Sequence, residues 1–224
     1  MMVKISGLLF ASKICACHII NLIVKFGLKR LKPYHKDFRT AITFLNASNQ
    51  HIAAYKMVYL SQGVCPRKFG VDMDVRWNST YLMLKHVVPY KSTFSIFIQS
   101  NHPLSSDGSP LLTDDHWYIA DKVLSFLELF YDSTVALSSV YYPTSPLMLH
   151  HILKIGRHLN AFENDHLLRE AIIPMKTKYL KYWRKIPILY AFAFILDPRA
   201  KMRGFRKLLL RLASLTGTNY SRFP

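Results

Sequence analysis

A chain of 224 residues has room for one large domain or two small ones, and with half its residues apolar and 13% aromatic it can bury a core, which excludes wholesale disorder. Thirty Lys and Arg stand against thirteen Asp and Glu, a net charge of +17. That excess argues against an enzyme for neutral substrates and for a surface that meets phosphate backbones; an anionic membrane surface, or the loss of an acidic half, are the other readings of charge alone.

Residues 5–27 carry two apolar runs, Ile5 to Phe10 and Ile14 to Val24, interrupted by Lys13, His18 and Asn21. Neither run reaches the roughly 20 residues of a membrane span. The segment reads as a buried strand followed by a buried helix, with a signal-type segment as the alternative. Residues 11–32 are expected to form a short strand or turn and then an apolar helix with a basic end, stopped by Pro33. Residues 37–62 read as a second helix broken near Asn46 to Asn49, and Gly63 to Arg67 as a turn. Phe69 to Val75 alternates, placing Phe69, Val71, Met73 and Val75 on one side, and predicts a strand. Asn78 to His86 follows as a helix with Asn78 or Ser79 as N-cap.

Ser100 to Asp115 is polar and rich in Ser, Pro and Gly, the best boundary in the chain. Beyond it the pattern is helical. Trp117 to Leu137 has helical apolar spacing, led by the capping and acidic residues Thr113, Asp114 and Asp115. Leu147 to Phe162 is the next helix, and Asp165 to Lys185 another, kinked at Pro174. Ile188 to Leu196 is wholly apolar and is expected to be buried as helix or strand. The tail from Arg203 is basic, with a short helix around Leu208 to Leu212.

Three sets of residues could carry chemistry. Cys15, Cys17 and His18 lie close together, but no closed four-ligand set accompanies them, so no metal site is expected; three cysteines, with Cys65, fit a reducing compartment rather than a disulfide framework. Arg76 and Trp77 stand where a strand would meet a helix N-terminus, suited to a phosphate and an unpaired base, or else to a core Trp with Arg stacked on it. On this reading Trp77 is expected to be partly exposed. Asp72 and Asp74 could together bind magnesium, but the alternation of the segment explains them as solvent-facing residues of a half-buried strand.

These residues carry a family resemblance. Cys15 and His18 to Val24 resemble the C-x-x-H-x-x-N-L-I-V segment of plant hAT-superfamily transposases, the Activator-like and RICESLEEPER-like proteins with a BED zinc finger. Asp72 to Leu84 resembles their D-x-x-x-R-W-N-S-T-Y-x-M-L. Tyr131 to Thr134, Tyr142 to Ser145, Met175 to Trp183 and Leu196 to Met202 resemble four further signals in family order. The resemblance implies an RNase H-like catalytic core interrupted by an all-helical insertion, with three separated acids holding two magnesium ions. It places the first two acids before the C-x-x-H and the third beyond the last signal. This chain has no acid before Asp37, and Leu45 to Asn49 only imitates the first acidic motif. The expectation is an internal piece without the catalytic triad.

The expected fold is an incomplete α/β RNase H-like piece over residues 1–100, then a mainly α-helical, insertion-like domain over residues 101–224, mostly helical overall. The expected function is that of a DNA-binding transposase remnant, not an enzyme, in the nucleus, with no resident cofactor although the family uses magnesium. No membrane or small-molecule partner is expected, and association of like chains would come through the full-length family protein. By resemblance, Arg76, Trp77, Cys15 and His18 would contact DNA, with Lys176, Lys178, Lys181, Arg184 and Lys185 as further phosphate contacts or else a solvated helix face. The basic clusters Lys25 to Arg39 and Arg199 to Arg211 would supply sequence-independent binding. An active nuclease using Asp72 and Asp74, and a structural or dimerising piece without DNA affinity, are the alternatives.

Overall fold

Ile19, Ile20, Ile23, Val24 and Leu28 recur at helical spacing and fall on one buried face of the first helix, α1 (Ala16–Leu28). The computed structural model describes residues 15–65, 67–73, 77–104, 108–139, 141, 143–184, 186 and 188–220. The remaining helices are α2 (Lys32–Asn46), α3 (Asn49–Ser61), α4 (Trp77–Val87), α5 (Lys91–Asn101), α6 (Asp114–Leu137), α7 (Met148–Ala161), α8 (Arg169–Trp183), α9 (Ile188–Ile195) and α10 (Lys201–Thr216), with single 3-10 turns at Val88–Tyr90 and Ser145–Leu147. No strand occurs among the described residues. The mostly helical expectation therefore holds, and the α/β half does not appear among them.

The chain packs as two compact units. One comprises Arg30–Glu128, and the other joins Met1–Lys29 to Leu129–Pro224. The division expected at residue 101 falls inside the first of these.

In the Arg30–Glu128 unit, Pro33 does not stop a helix. It occupies the opening turn of α2, where its missing N–H is not needed. α2 ends at Asn46 and α3 begins after Ser48, whose hydroxyl accepts the His51 N–H at 3.1 Å. The break expected at Asn46 to Asn49 is thus a true cap. The core is aromatic: Tyr55 packs on Tyr59 with ring centres 4.3 Å apart and on Phe97 at 5.2 Å, and Phe38 meets Trp117 edge-on at 4.9 Å. Phe69 joins this cluster against Tyr90 and Phe94. At the opening of α6 the His116 ring turns back on Thr113: Thr113 N–H donates to His116 Nδ1 at 3.2 Å, and the other ring nitrogen of His116 lies 3.1 Å from Asp37.

The predicted strand at Phe69 to Val75 is corrected. Phe69–Met73 has no helical or strand pairing, and Asp74 and Val75 lie outside the described residues. The alternation also fails in detail, because Phe69 and Asp72 are buried while Val71 and Met73 are exposed. Neither Asn78 nor Ser79 is an N-cap. Both lie within the first turn of α4, and Ser79 Oγ instead exchanges two hydrogen bonds of 2.9 Å with the backbone of Met73, tying Met73 to the start of the helix.

In the second unit α1 lies against α8, whose buried face is Ala171, Ile172, Met175, Tyr179 and Trp183. Burying Ile19, Ile20, Ile23 and Val24 contributes on the order of 6–12 kcal/mol before chain entropy is charged. Gly27 allows the close approach: a Cβ there would overlap the Met175 sulfur and stand 3.1 Å from the Ala171 carbonyl oxygen. Tyr179 OH donates to the Ile152 carbonyl at 3.0 Å and fixes α8 on α7. Pro174 lies inside α8, as expected. α9 corrects the expectation of full burial: Tyr190, Ala191 and Phe194 are buried, whereas Leu189 is 62% and Phe192 56% exposed. α10 is longer than the short helix expected and ends on Gly217 in the left-handed region at φ 63°, whose N–H caps the Ala213 carbonyl.

Candidate nucleic-acid interface

Asp72 is drawn inward by a helix the sequence pattern could not connect to it. Arg39, on α2, donates from Nε to Oδ1 at 2.6 Å and from a terminal nitrogen to Oδ2 at 3.0 Å. Thr80 Oγ1, on α4, donates to Oδ2 at 2.6 Å. Burial pushes the Asp72 carboxyl up, but the hydrogen bonds from Arg39 and Thr80 outweigh it and leave the group below the usual carboxylate range. With its side chain 0% exposed, the carboxylate is consumed in tying the Phe69–Met73 segment to two helices. The expectation of a solvent-facing Asp72 is corrected. Among the described residues no group of three His, Cys, Asp or Glu is arranged to hold a metal ion.

Trp77 begins α4 with its indole in the core, 4% exposed. The expectation of a partly exposed Trp77 is overturned. A buried indole presents no face for a base to stack on, so its bulk serves packing. Arg76 lies outside the described residues. Asn78 Oδ1, next along the helix, is buried without a hydrogen-bond partner.

The other candidates lie in the second unit. Cys15 precedes α1 and His18 sits in its first turn, and both are exposed. Cys17 differs: its sulfur lies 3.3 Å from Ser138 Oγ, and burial pushes its thiol up despite that bond. Of the basic set on α8, Lys176 pairs with Glu163 at 2.6 Å, and Lys178 stands 4.2 Å over the Phe26 ring. Lys181 and Arg184 are exposed, and Lys185 lies outside the described residues. Two of the five therefore have protein partners.

The segment after α9 is organised around one carboxylate, Asp197. Asp197 ends α9 and grips Arg199, with Nε to Oδ1 at 3.0 Å and a terminal nitrogen to Oδ2 at 2.7 Å. These bonds hold the Asp197 carboxyl down to about 2. Ala200 N and Lys201 N both donate to the Asp197 carbonyl at 3.0 Å, turning the chain into α10. α10 then carries Lys201, Arg203, Arg206, Lys207 and Arg211, all exposed, with no acid along its length. A cleft of about 410 Å³ opens between α7, α9 and α10. The signal was present in the basic residues between Arg199 and Arg211; what the sequence lacked was the cleft beside them.

Among the described residues no helix is long and apolar enough to cross a membrane. Residues 14–126 match the ZBED1 RNase-like helical domain, and residues 146–219 match the hAT-like transposase, RNase-H fold. The zinc finger BED domain-containing protein RICESLEEPER 3 of Oryza sativa subsp. japonica is 28% identical over 221 residues, covering 97% of this chain and 29% of that protein. The putative AC transposase of Zea mays is 29% identical over 191 residues, 84% of this chain and 23% of that protein. The DAYSLEEPER protein of Arabidopsis thaliana is 25% identical over 136 residues, 60% of this chain and 19% of that protein. The chain thus spans less than a third of the length of these relatives. No solved structure matches it.

Proposed function

Since the chain belongs to the hAT transposase-like family, with the ZBED1 RNase-like helical domain over half its length, we propose that it is a DNA-binding part of a transposase-derived protein that works in the nucleus. The observation that carries this reading is the charge of +17, to which the acid-free helix α10 contributes five cations. Each phosphate neutralised by Lys or Arg releases condensed counterions, so such a surface binds a polyanion through entropy and without sequence preference.

The same reading makes the chain catalytically silent by itself, with no resident magnesium. The occupied state of Asp72 supports this: its carboxylate is fully buried and already accepts three hydrogen bonds from Arg39 and Thr80, so it is committed to the fold rather than open to a solvated cation. The α/β RNase H-like core belongs to this proposal as a property of the longer family protein.

The test is titration of a labelled duplex across a salt series. If about four to six phosphates are neutralised, log K falls against log salt with a slope near −4 to −5. A flat response, or no binding at low salt, removes the proposal in favour of a structural or dimerising piece. Incubation of supercoiled plasmid with magnesium or manganese tests the silence; metal-dependent nicking that disappears in Asp72→Ala overturns it.

A further inference from the structure

The cleft beside α10 has the makings of a specific anion seat rather than of diffuse charge. Its rim carries Arg199, Lys207, Arg211 and His150, and its floor is made by Phe194 and Leu208, both buried. A volume of about 410 Å³ falls within the usual range for a small-ligand cleft. The one acid in the lining is Asp197, and it is engaged by Arg199.

That engagement has a use. A guanidinium offers five N–H donors, and Asp197 occupies Nε and one terminal nitrogen. The outer donors remain, on a side chain 75% exposed yet fixed in direction by its carboxylate. A planar fork held in this way is suited to a phosphate oxygen pair, which a lysine cannot grip bidentately. Lys207 and Arg211 lie one turn apart on α10, on the same side of the cleft.

The positive surface also continues out of the cleft. From Lys201 to Arg211 the cations wind around about 15 Å of helix, with Lys207 and Arg211 on the cleft side and the others extending the positive surface beyond it. A free phosphate or a small carboxylate would use only the mouth. A strand would place one phosphodiester at the mouth, between Arg199, Lys207 and Arg211, and lay its neighbouring phosphates along the positive surface outside.

We infer that this cleft is where one DNA strand seats a phosphodiester, gripped by Arg199 and flanked by Lys207 and Arg211. The inference rests on the DNA-binding reading above and adds the place. Three variants of the full chain test it against the same labelled duplex. Lys207→Glu with Arg211→Glu reverses two charges at the cleft, and Lys56→Glu with Lys68→Glu reverses two at exposed positions on and beyond α3, outside both basic clusters, as a control. Arg199→Lys keeps the charge and removes the fork; the turn it sits in is held by backbone donors to Asp197, so the fold is retained. Helical circular dichroism monitors folding in each.

The expected result is an affinity loss of about thirty-fold or more for the cleft pair, with the salt slope reduced by about 2, and a change of less than about three-fold for the control. Arg199→Lys is expected to lose about ten-fold. If the parent chain binds but the two charge-reversed pairs lose equally and Arg199→Lys binds as before, the cleft assignment is overturned and the DNA-binding reading stands. If the parent chain does not bind, both fall.

Discussion

Arg39 and Asp72 meet through two parallel hydrogen bonds although they stand 33 positions apart, and this pair, with Thr80, fastens the Phe69–Met73 segment to α2 and α4. Asp72→Ala leaves the Arg39 guanidinium without its anion. It should destabilise the chain by about 2–3 kcal/mol, the low side for a broken buried pair because Arg39 stays partly in water. Urea denaturation measures this. An unchanged midpoint would return Asp72 to the solvent-facing role that alternation predicted.

Stability should fall on the acid side in two steps. His151, which contacts Ser133, is held below its ordinary value by burial and then by the Lys154 charge. A depressed folded value means stability present above the unfolded value near about 6.5 and lost as pH falls through the folded one. Asp72 is also depressed, so its contribution survives that step and is lost only below about pH 4. A melting-temperature series from pH 8 to 3 should show both decrements, and Asp72→Ala should shrink the lower, leaving the share of other depressed carboxylates such as Asp197.

On the alkaline side the tyrosines set the window. Burial pushes Tyr190 up to about 12 and raises Tyr55 and Tyr179 as well. Raised values mean stability present below the unfolded value near about 10 and lost as pH climbs toward the folded one. Tyrosinate absorbance should therefore rise in two phases, the second coinciding with loss of helical signal. A single phase with the fold intact would contradict the burial of these phenols.

Trp77→Ala should cost about 3–5 kcal/mol of stability, because it empties a core site. Duplex affinity of the fraction still folded should stay within about two-fold, since the stacking loss of 1–3 kcal/mol for a nucleic-acid platform has no exposed indole to act on. Fluorescence of the parent chain on adding single-stranded DNA gives an independent reading; strong quenching assigned to Trp77 would restore the stacking role.

Gly27→Ala should destabilise by about 1–3 kcal/mol despite the better helix propensity of Ala, because the new methyl meets the Met175 sulfur and the Ala171 carbonyl. Adding Met175→Ala should recover part of the loss as Gly27→Ala fills the space. Gly70→Ala is the control, with nothing within 4 Å of the new atom. Thermal melts of the four proteins separate steric overlap from backbone entropy.

The helices were legible wherever a local signal marked them. Ser48 as a cap, the Thr113-Asp114-Asp115 opening and the apolar stripe of α1 depend on residues a few positions apart, and the order of the family motifs pointed to the same relatives that the comparisons found. The Phe69–Met73 segment was misread because alternation scores hydrophobicity alone. It could not register that a cation on α2 makes Asp72 an inward residue and leaves Val71 and Met73 outside. Trp77 misled for the opposite reason: its motif suggested contact with a partner, whereas its bulk decided its place. The run Ile188 to Leu196 showed that apolar composition does not say which face finds a neighbour.

The joining of the chain's first helix to its distant second half has a consequence during synthesis. α8 emerges from the ribosome roughly 140 residues after α1, about 7–28 s later at 5–20 residues per second. The Arg30–Glu128 unit is continuous in sequence and can fold in that interval. Ile19, Ile20, Ile23 and Val24 meanwhile have no surface to bury against. The nascent chain therefore carries an open, sticky helix face throughout that interval, and its yield in a cell should depend on chaperones that hold extended apolar segments.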